Sequence, residues 1–255
     1  MTSNRFDLRG KVAVVTGGNG GIGLGLARGL ADAGANIAVV GRNETKSAAA
    51  IADLGQRGVK AIAVTTDVTD QAAVAAMIDR VVKEFGRIDI LINNAGMSIR
   101  KPPHELELDE WNKVIDTNLT SAFVCSKLAY PALKASGNGK VINIGSMMSI
   151  FGASFATAYA ASKGGIVQYT RACANAWAPD NIQVNAILPG WINTDLTRGA
   201  REQIQGLDAI VVSRTPAGRW GEPDDLAGTV IFLASAASNY VNGSVLTVDG
   251  GWLGR

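Results

Sequence analysis

The sequence predicts a doubly wound α/β fold, in which helices cover both faces of a seven-stranded parallel sheet. Seven short runs rich in β-branched residues alternate with longer segments of helical period, which is the pattern of repeated β-α-β units. Several runs are almost wholly apolar, as expected for strands that are covered on both sides. No Pro/Ser-rich linker, low-complexity tract or internal repeat interrupts the series. We therefore expect residues 1–255 to form a single domain.

Each predicted strand consists mainly of Val, Ile, Leu and Ala, and polar residues, proline or glycine follow it. In chain order the strands are assigned to residues 11–16, 36–40, 60–65, 88–92, 140–144, 183–188 and 245–248. Amphipathic segments between the strands are assigned to helices, the first of them over residues 24–33.

Composition and charge narrow the class of protein. With 255 residues, 47% hydrophobic, 18% charged and 30 glycines, the chain is predicted to be globular with a large core and many tight turns. The formal net charge is +2 and the charges are interspersed, so neither nucleic acid nor an anionic membrane is indicated as a partner. Residues 1–7 lack the apolar stretch of a signal peptide, and no run approaches the ~20 apolar residues of a membrane span. We expect a cytoplasmic protein.

The cysteines and the histidine exclude several kinds of site. Cys125 and Cys173 are the only cysteines, lie far apart and have no Cys-x-x-Cys spacing, so buried free thiols are expected. His104 is the only histidine, which excludes a Ser/His/Asp hydrolase and a multi-histidine metal site. No metal is expected.

A glycine-rich turn follows the first strand: Thr16-Gly17-Gly18-Asn19-Gly20-Gly21-Ile22-Gly23. Glycines between a first strand and a first helix let the backbone approach a pyrophosphate, and the helix N-terminus offers free N–H donors. A purely structural turn is the alternative, but the strand-turn-helix context favours a dinucleotide site. The residues expected to contact the dinucleotide here are Gly17, Asn19, Gly20, Gly21, Ile22 and Gly23.

Tyr159 and Lys163 are four residues apart, which on a helix puts a phenol and an ammonium on neighbouring turns of one face. A phenol ordinarily titrates near pH ~10, and a nearby cation favours the phenolate and lowers that pKa. Such a pair is most often an ordinary surface or packing contact. Its meaning therefore depends on the other motifs in the chain.

Over essentially its whole length the chain resembles the short-chain dehydrogenase/reductases. The resemblance is carried, in order, by Thr16-Gly17-x-x-x-Gly21-x-Gly23, Asn93-Asn94-Ala95-Gly96, Asn118, Ser146, Tyr159-x-x-x-Lys163 and Pro189-Gly190. It implies a Rossmann-type fold. Residues 214–221 and 248–253 further resemble the sugar-acid branch of the family, which includes 2-dehydro-3-deoxy-gluconate 5-dehydrogenases, 2-deoxy-gluconate 3-dehydrogenases and gluconate 5-dehydrogenases.

The resemblance implies four catalytic residues. Tyr159 would be the general acid in carbonyl reduction and, as phenolate, the base in alcohol oxidation. Lys163 would lower the pKa of that phenol and hold the nicotinamide ribose. Ser146 would hydrogen-bond the substrate oxygen, although a serine at a strand end can also simply cap a turn. Asn118 would distort its helix and hold a water that links Lys163 to solvent, although a mid-helix asparagine is usually exposed and unimportant.

The resemblance also assigns cofactor contacts to residues at the carboxyl ends of strands, where open parallel sheets bind ligands. The residues expected at the adenosine half, after the third and fourth strands, are Asp67, Val68, Asn94, Ala95 and Gly96. The residues expected around the nicotinamide are Tyr159, Lys163, Pro189, Gly190, Ile192 and Thr194.

The end of the second strand predicts which cofactor is used. An acidic residue there would bind the ribose 2′-hydroxyl of NAD, but Gly41 occupies this position, and Arg42 and Asn43 follow. Because arginine binds phosphate through a charged planar fork, NADP(H) is favoured. A solvated arginine in an enzyme that also accepts NAD(H) is the alternative.

Substrate contacts are expected from the loop after the fourth strand and from a lid at residues 191–214. Arg100 or His104 would lie near the mouth of the pocket and favour a carboxylate, although solvation of His104 is at least as strong an alternative. Met148 and Trp191 are near the catalytic motifs and would shape the pocket, although Trp191 is also a candidate packing anchor.

The motifs together predict an enzyme that interconverts a secondary alcohol and a ketone by hydride transfer, on a sugar acid, keto-deoxy sugar acid or polyol. A 3-oxoacyl-carrier-protein reductase shares every motif and is the nearest alternative. A dinucleotide sensor without activity is the alternative from another class, and the intact catalytic set is evidence against it. The resemblance further implies a homotetramer, with interfaces on residues 110–133, residues 155–177 and the C-terminal strand.

Overall fold

A computed structural model describes residues 4–254 and shows one seven-stranded parallel sheet with helices on both faces. Residues 1–3 of the N-terminal segment discussed above and the last residue lie outside the described part of the chain. The strand order is β3-β2-β1-β4-β5-β6-β7. The strands are β1 (Val12–Thr16), β2 (Asn36–Gly41), β3 (Ala61–Thr65), β4 (Ile90–Asn93), β5 (Gly139–Ile144), β6 (Ile182–Pro189) and β7 (Val245–Val248).

The seven predicted strands are confirmed, with ends that move by at most two residues. The largest shift is at β4, which begins at Ile90 rather than at residue 88. Asp89 explains it, because its buried carboxylate accepts hydrogen bonds from the backbone N–H of Val12 at 3.0 Å and from Lys11 Nζ at 3.0 Å. Arg87 donates to the same carboxylate. Asp89 is therefore held by its side chain as well as by its backbone, whose N–H donates to the carbonyl of Val12 at 3.0 Å and whose carbonyl accepts from Lys140 at 2.9 Å.

Nine α-helices lie between the strands in residues 4–254. They are α1 (Gly21–Asp32), α2 (Glu44–Gly55), α3 (Gln71–Phe85), α4 (Leu108–Ile115), α5 (Ser121–Ala135), α6 (Thr157–Trp177), α7 (Asp195–Gln203), α8 (Leu207–Arg214) and α9 (Ala227–Ala234). Their ends follow local rules: Asp70 caps α3 by accepting from the N–H groups of Ala72 and Ala73, and Gly86 ends it with a φ of 78°. No helix in the described part of the chain is long and apolar enough to cross a bilayer.

Alternation along the strands divides the core into two layers. On β1, Ala13 and Val15 face a cluster formed with α1, α2 and α9, whereas Val12 and Val14 face a cluster formed with α3, α5 and α6. All five residues of β1 are buried, as the apolar runs predict for a sheet that is covered on both sides.

Parallel strands bring all their carboxyl ends to one edge of the sheet. β1 lies between β2 and β4. From β1 the sheet extends through β2 to β3 in one direction and from β4 to β7 in the other, so the order of the strands reverses at β1. A crevice opens at such a switch point, because the loops that leave the two neighbouring strands diverge. This edge carries the predicted site.

Candidate active site

A groove of about 320 Å³ runs along the carboxyl edge of the sheet. One wall is the glycine turn between β1 and α1, and the floor is formed by the residues that follow β4 and β5. The other wall is formed by the segment after β6 and by the first turn of α7. The groove therefore lies where the fold predicts a ligand site.

The glycine turn is held against β4 by side chains of its neighbours. Thr16 Oγ1 accepts hydrogen bonds from the backbone N–H groups of Asn94 at 2.9 Å and Ala95 at 3.0 Å. Asn94 Nδ2 donates to the carbonyl of Thr16 at 2.9 Å. A Cβ atom on Gly23 would lie 2.2 Å from the carbonyl oxygen of Gly17, so only glycine fits there. The turn is thus a backbone surface that is packed from behind and open toward the groove.

The residues after β2 close the adenosine end and fit a nucleotide with a 2′-phosphate. Asn19 Nδ2 donates to Ser47 Oγ at 3.0 Å and occupies the space where a side chain on Gly41 would project, 2.4 Å from its Cβ position. The side chain of Arg42 is 76% exposed, and among residues 4–254 its guanidinium has Asp67 as its one hydrogen-bond partner, at 3.5 Å. Most of the guanidinium donors of Arg42 are therefore free to bind phosphate.

Tyr159, Lys163 and Ser146 meet on the groove floor. Tyr159 and Lys163 lie on successive turns of α6, and Ser146 follows β5. Lys163 Nζ donates to the carbonyl of Ile144 at 2.7 Å and lies 5.7 Å from the ring centroid of Tyr159. The strand end thus orients the lysine, and the helix orients the tyrosine beside it.

The ionisation of these groups is dominated by burial. Burial raises the pKa of the Tyr159 phenol, while a hydrogen bond from Ser146 and the positive charge of Arg100 act to lower it. Burial also lowers the pKa of Lys163 to about 8. The pairing of Tyr159 with Lys163 alone suggested a lowered phenol pKa. The direction in the structure is the opposite, because loss of solvent around the phenol outweighs the neighbouring charges.

Asn118 lies behind the catalytic pair, in a π-type turn over Asp116–Thr120 that joins α4 to α5. Its amide is fully engaged: Oδ1 accepts from the N–H of Met97 at 2.8 Å, and Nδ2 donates to the Met97 carbonyl at 2.9 Å and to Ser162 Oγ at 3.1 Å. A Cβ on Gly96 would lie 3.3 Å from Asn118 Oδ1 and 3.6 Å from Lys163 Nζ. Asn118 thus ties the loop after β4 to α6 beside Lys163, and its side chain is buried rather than exposed.

The segment after β6 leaves the sheet and folds over the groove. Trp191 anchors its start, with its ring 5.5 Å from that of Trp220 and 6.1 Å from that of Trp252. The backbone N–H of Asn193 donates to the carbonyl of Gly221 at 2.8 Å. Both alternatives for Trp191 therefore apply, because it packs in an aromatic cluster and also lines the groove.

Most of the residues predicted for the site line the groove. They are Gly17, Asn19, Gly20, Gly21, Ile22, Gly23, Asn94, Ala95, Gly96, Arg100, Ser146, Met148, Tyr159, Lys163, Pro189, Gly190, Trp191, Ile192 and Thr194. The predicted residues after β2 and β3 lie beyond its adenosine end: Arg42, Asn43, Asp67 and Val68.

His104 is not brought to the groove. Its side chain is 79% exposed, and Nε2 lies 3.6 Å from a carboxylate oxygen of Glu105. The solvated alternative considered for this residue is the one that the structure shows. His104 is held away because residues 103–105 form a short helical turn that leads the loop outward to α4.

Several groove residues were missed by sequence reasoning. They are Lys46, Ser98, Phe155, Asp195, Leu196 and Thr197. Lys46 lies in the first turn of α2. It is three residues after Asn43, a predicted cofactor contact, so it lies on the neighbouring turn of the same helix face and could have been predicted from that spacing. Phe155 has no comparable local signal, since it lies in the loop before α6 and enters the site through the tertiary fold. Within residues 4–254 no group of three or more His, Cys, Asp or Glu side chains is arranged to hold a metal ion.

Comparison with known proteins gives consistent matches over the whole chain. A family model described as enoyl-(acyl carrier protein) reductase matches residues 17–253. The 2-dehydro-3-deoxy-D-gluconate 5-dehydrogenase of Escherichia coli strain K12 is 45% identical over 256 residues, with 100% of each chain covered. The 5-keto-D-gluconate 5-reductase of the same strain is 41% identical over 248 residues, with 97% of each chain covered.

Solved structures give matches of similar extent. The gluconate 5-dehydrogenase from Burkholderia cenocepacia J2315, crystallised with NADP and tartrate, superposes with a TM-score of 0.93 at 42% identity and 98% coverage of both chains. Matches of this identity and extent establish the family as well as the fold. The chain therefore belongs to the short-chain dehydrogenase/reductase family.

Proposed function

We propose that this protein is an NADP-preferring oxidoreductase that interconverts a secondary alcohol and a ketone on a sugar acid. One observation carries the proposal: Ser146, Tyr159 and the half-buried Arg100 converge on one groove whose far wall is the glycine turn. A proton donor, an oxygen anchor and a cation for a carboxylate thus line the same groove as the expected dinucleotide site. The names of the relatives, which act on 2-dehydro-3-deoxy-D-gluconate and 5-keto-D-gluconate, support a sugar acid.

The residues around the groove fit NADP(H), which when bound supplies or accepts the hydride. The glycine turn and the N-terminus of α1 would hold the diphosphate. Arg42 would hold the 2′-phosphate, and the lack of an acidic residue at Gly41 removes the group that would repel it. Gluconate 5-dehydrogenase crystallised with NADP supports this choice, and NAD(H) remains a second substrate of the same site.

In the reducing direction, the carbonyl carbon of the substrate gains the hydride and its oxygen gains a proton. Tyr159 Oη would donate that proton, and the raised pKa of the phenol keeps it protonated until the oxygen gains charge. Ser146 would hold the same oxygen through its hydroxyl. The resulting phenolate would recover a proton from solvent beside Lys163 and Asn118. In the oxidising direction the proton and the hydride move the opposite way.

Arg100 is our candidate for the substrate carboxylate. Its guanidinium donates to the carbonyl of Leu196 at 3.0 Å and approaches Gln203 Oε1 at 3.4 Å, so among the described residues no carboxylate pairs with it. Burial lowers the pKa of Arg100, which means that its charge is poorly solvated. An incoming carboxylate would replace that lost solvation with a charge-assisted hydrogen bond.

Three further features complete the proposal. The nucleotide and substrate sites would belong to a single domain, with residues 191–214 as its lid. The protein would be a homotetramer, and the exposed side chains of Phe123 and Tyr240, near the helical faces and the C-terminal strand named above, support such interfaces. A cytoplasmic location would suit the two cysteines, which are free and buried.

The test is an activity screen of the purified protein with each nucleotide. We expect oxidation of 2-dehydro-3-deoxy-gluconate or gluconate, or reduction of 5-keto-gluconate, with NADP(H) preferred. Neutral polyols and an acetoacetyl thioester should react poorly. Arg100→Gln should raise KM for the acids by about tenfold to a hundredfold, as loss of a charge-assisted hydrogen bond predicts, and should leave KM for a neutral polyol unchanged, because a polyol has no carboxylate to bind.

Two results would contradict the proposal. A preference for the acetoacetyl thioester would support a carrier-protein reductase instead. Absence of turnover with every substrate, in a protein that still binds nucleotide, would support a dinucleotide sensor. The mass of the protein in solution, measured by light scattering, tests the tetramer separately.

A further inference from the structure

An ion pair crosses the groove between its two walls. Lys46 Nζ, on the first turn of α2, lies 2.8 Å from Asp195 Oδ2 at the start of α7. The two residues are 149 positions apart in the sequence, and both line the groove. This pair is therefore a direct connection between the nucleotide half of the molecule and the lid.

The pair lies beside the glycine turn. Asn19 in the turn is hydrogen-bonded to Ser47, the residue after Lys46. The turn also approaches the other wall: a Cβ on Gly21 would lie 3.2 Å from the methyl carbon of Thr194, the residue before Asp195. The glycine turn thus lies between the starts of α2 and α7, and the ion pair bridges them beside the place where a diphosphate would bind.

The pair is weak by itself. The side chains of Lys46 and Asp195 are 55% and 66% exposed, and an ion pair with that much solvent contact adds little stability. Asp195 also faces Arg198, whose Nη2 is 3.2 Å from its other carboxylate oxygen. The lid is consequently held to α2 by a contact that thermal motion can open.

The charges of Lys46 and Asp195 determine how a dinucleotide diphosphate would bind beside them. A diphosphate at the glycine turn would bring negative charge close to Asp195, which is unfavourable unless a cation lies between them. An ammonium has three donors, and among residues 4–254 Lys46 Nζ uses one of them, on Asp195. The remaining donors can bind a phosphate oxygen while the contact with Asp195 is kept.

We propose that Lys46 binds the diphosphate of the dinucleotide and Asp195 at the same time, so that nucleotide binding fastens α7 over the groove. Lys46 is then a cofactor ligand, and Asp195 is a positioning residue that acts through it. The inference rests on the proposed dinucleotide binding. It differs from the role of Arg42, because the diphosphate is common to NADPH and NADH whereas the 2′-phosphate is not.

The experiment compares four variants with the wild type by calorimetric titration of NADPH and NADH. Lys46→Met should raise Kd for both nucleotides by the same factor, about tenfold, as loss of a charge-assisted phosphate contact predicts. Arg42→Ala should raise Kd for NADPH alone. Asp195→Asn should leave both Kd values within about threefold of wild type, because an exposed pair contributes little. Lys60→Met is the matched control, since Lys60 is about as exposed as Lys46 and forms an ion pair with Glu84, at 2.6 Å, outside the groove.

Hydrogen exchange of residues 195–203 provides a readout of the lid that does not depend on activity. In the wild type and in Lys60→Met, either nucleotide should slow exchange in α7. Lys46→Met and Asp195→Asn should both lose that slowing, even at nucleotide concentrations that saturate the variant.

Each remaining outcome overturns the inference. If Lys46→Met weakens NADPH alone, Lys46 belongs to the 2′-phosphate site. If Lys46→Met behaves like Lys60→Met, or if Asp195→Asn keeps the slowed exchange, the bridge does not exist, although the proposed function stands. If the wild type binds neither nucleotide, the proposed function and this inference fail together.

Discussion

Tyr159 combines a buried phenol with two groups that favour its ionisation. Burial raises its pKa, and the Ser146 hydroxyl and the Arg100 charge act in the other direction. Such a phenol is protonated at neutral pH and is still close to donors that stabilise the phenolate. This balance suits a group that gives up a proton only when a neighbouring oxygen becomes basic.

We expect Tyr159→Phe to lower kcat by about 10²- to 10⁴-fold, the usual contribution of a positioned acid or base. The Kd of NADPH should change by less than about threefold, because the phenyl ring keeps the shape of the groove floor. Stopped-flow rates and titration calorimetry measure the two quantities.

The control for this variant is Tyr130→Phe. The hydroxyl of Tyr130 donates a hydrogen bond to the carboxylate of Asp180, outside the groove, so this variant should keep the wild-type kcat. Near-normal turnover by Tyr159→Phe would exclude the proton-donor role.

At the scale of elements, the start of α1 depends on close contact between backbones. Gly23 lies in the first turn of α1, and its Cβ position is 2.2 Å from the carbonyl oxygen of Gly17 and 2.5 Å from Asn94 Nδ2. Neither neighbour can easily retreat, because Asn94, which follows β4, donates to the carbonyl of Thr16 at the end of β1 and so holds the turn against β4. The shape of the glycine turn and the position of α1 are therefore coupled.

Gly23→Ala should reduce the free energy of unfolding by about 1–3 kcal/mol, the usual cost of forcing an extra carbon into a packed site. It should also weaken NADPH and NADH alike, because the turn that holds the diphosphate must shift. Urea unfolding and nucleotide titration check both effects.

Gly55→Ala is the comparison, because Gly55 ends α2 and has no atom within 4 Å of its Cβ position. That variant should bind nucleotide normally. Equal behaviour of Gly23→Ala and Gly55→Ala would contradict the coupling between the turn and α1.

At the scale of the whole molecule, the two edges of the sheet carry different chemistry. The carboxyl edge holds the groove, whereas the amino edge holds a buried lysine that the proposed reaction does not use. Lys140, near the start of β5, is 2% exposed, and its Nζ donates to Gln183 Oε1 at 2.6 Å and to Asn239 Oδ1 at 2.9 Å. Burial, with a smaller repulsion from Lys11, lowers its pKa from 10.5 to about 8.

This lysine predicts a pH dependence of stability. Between pH 8 and 10.5 the unfolded chain keeps the Lys140 proton that the folded chain has lost, so the free energy of unfolding should rise with pH in this window. The rise from this residue is at most about 3 kcal/mol, from the size of the pKa change.

Lys140→Met should remove that part of the rise, measured as the difference between wild-type and variant urea unfolding across pH 8–10.5. Titrating groups that do not interact with Lys140, including Lys163, cancel in the difference. Parallel pH profiles of the two proteins would show that Lys140 does not titrate in this range.

Much of the fold could be predicted because its signals are local. Each strand is a short apolar run with turn residues after it, and the parallel sheet follows from the alternation with helices. The strand ends also predicted most of the groove, since residues such as Gly17, Asn94 and Gly190 directly follow strands that must share an edge. A sheet of parallel strands converts order along the chain into proximity at that edge.

The sequence by itself determined the family, the seven strands and most of the side chains at the carboxyl edge, because periodicity and motif spacing extend over a few residues. Only the tertiary structure decided that His104 points into solvent and Arg100 toward the groove, although both lie in one loop. It also decided the direction of the Tyr159 pKa and the pairing of Lys46 with Asp195. These properties depend on burial and on distances between remote segments, which arise only when the whole sheet and its helices pack together.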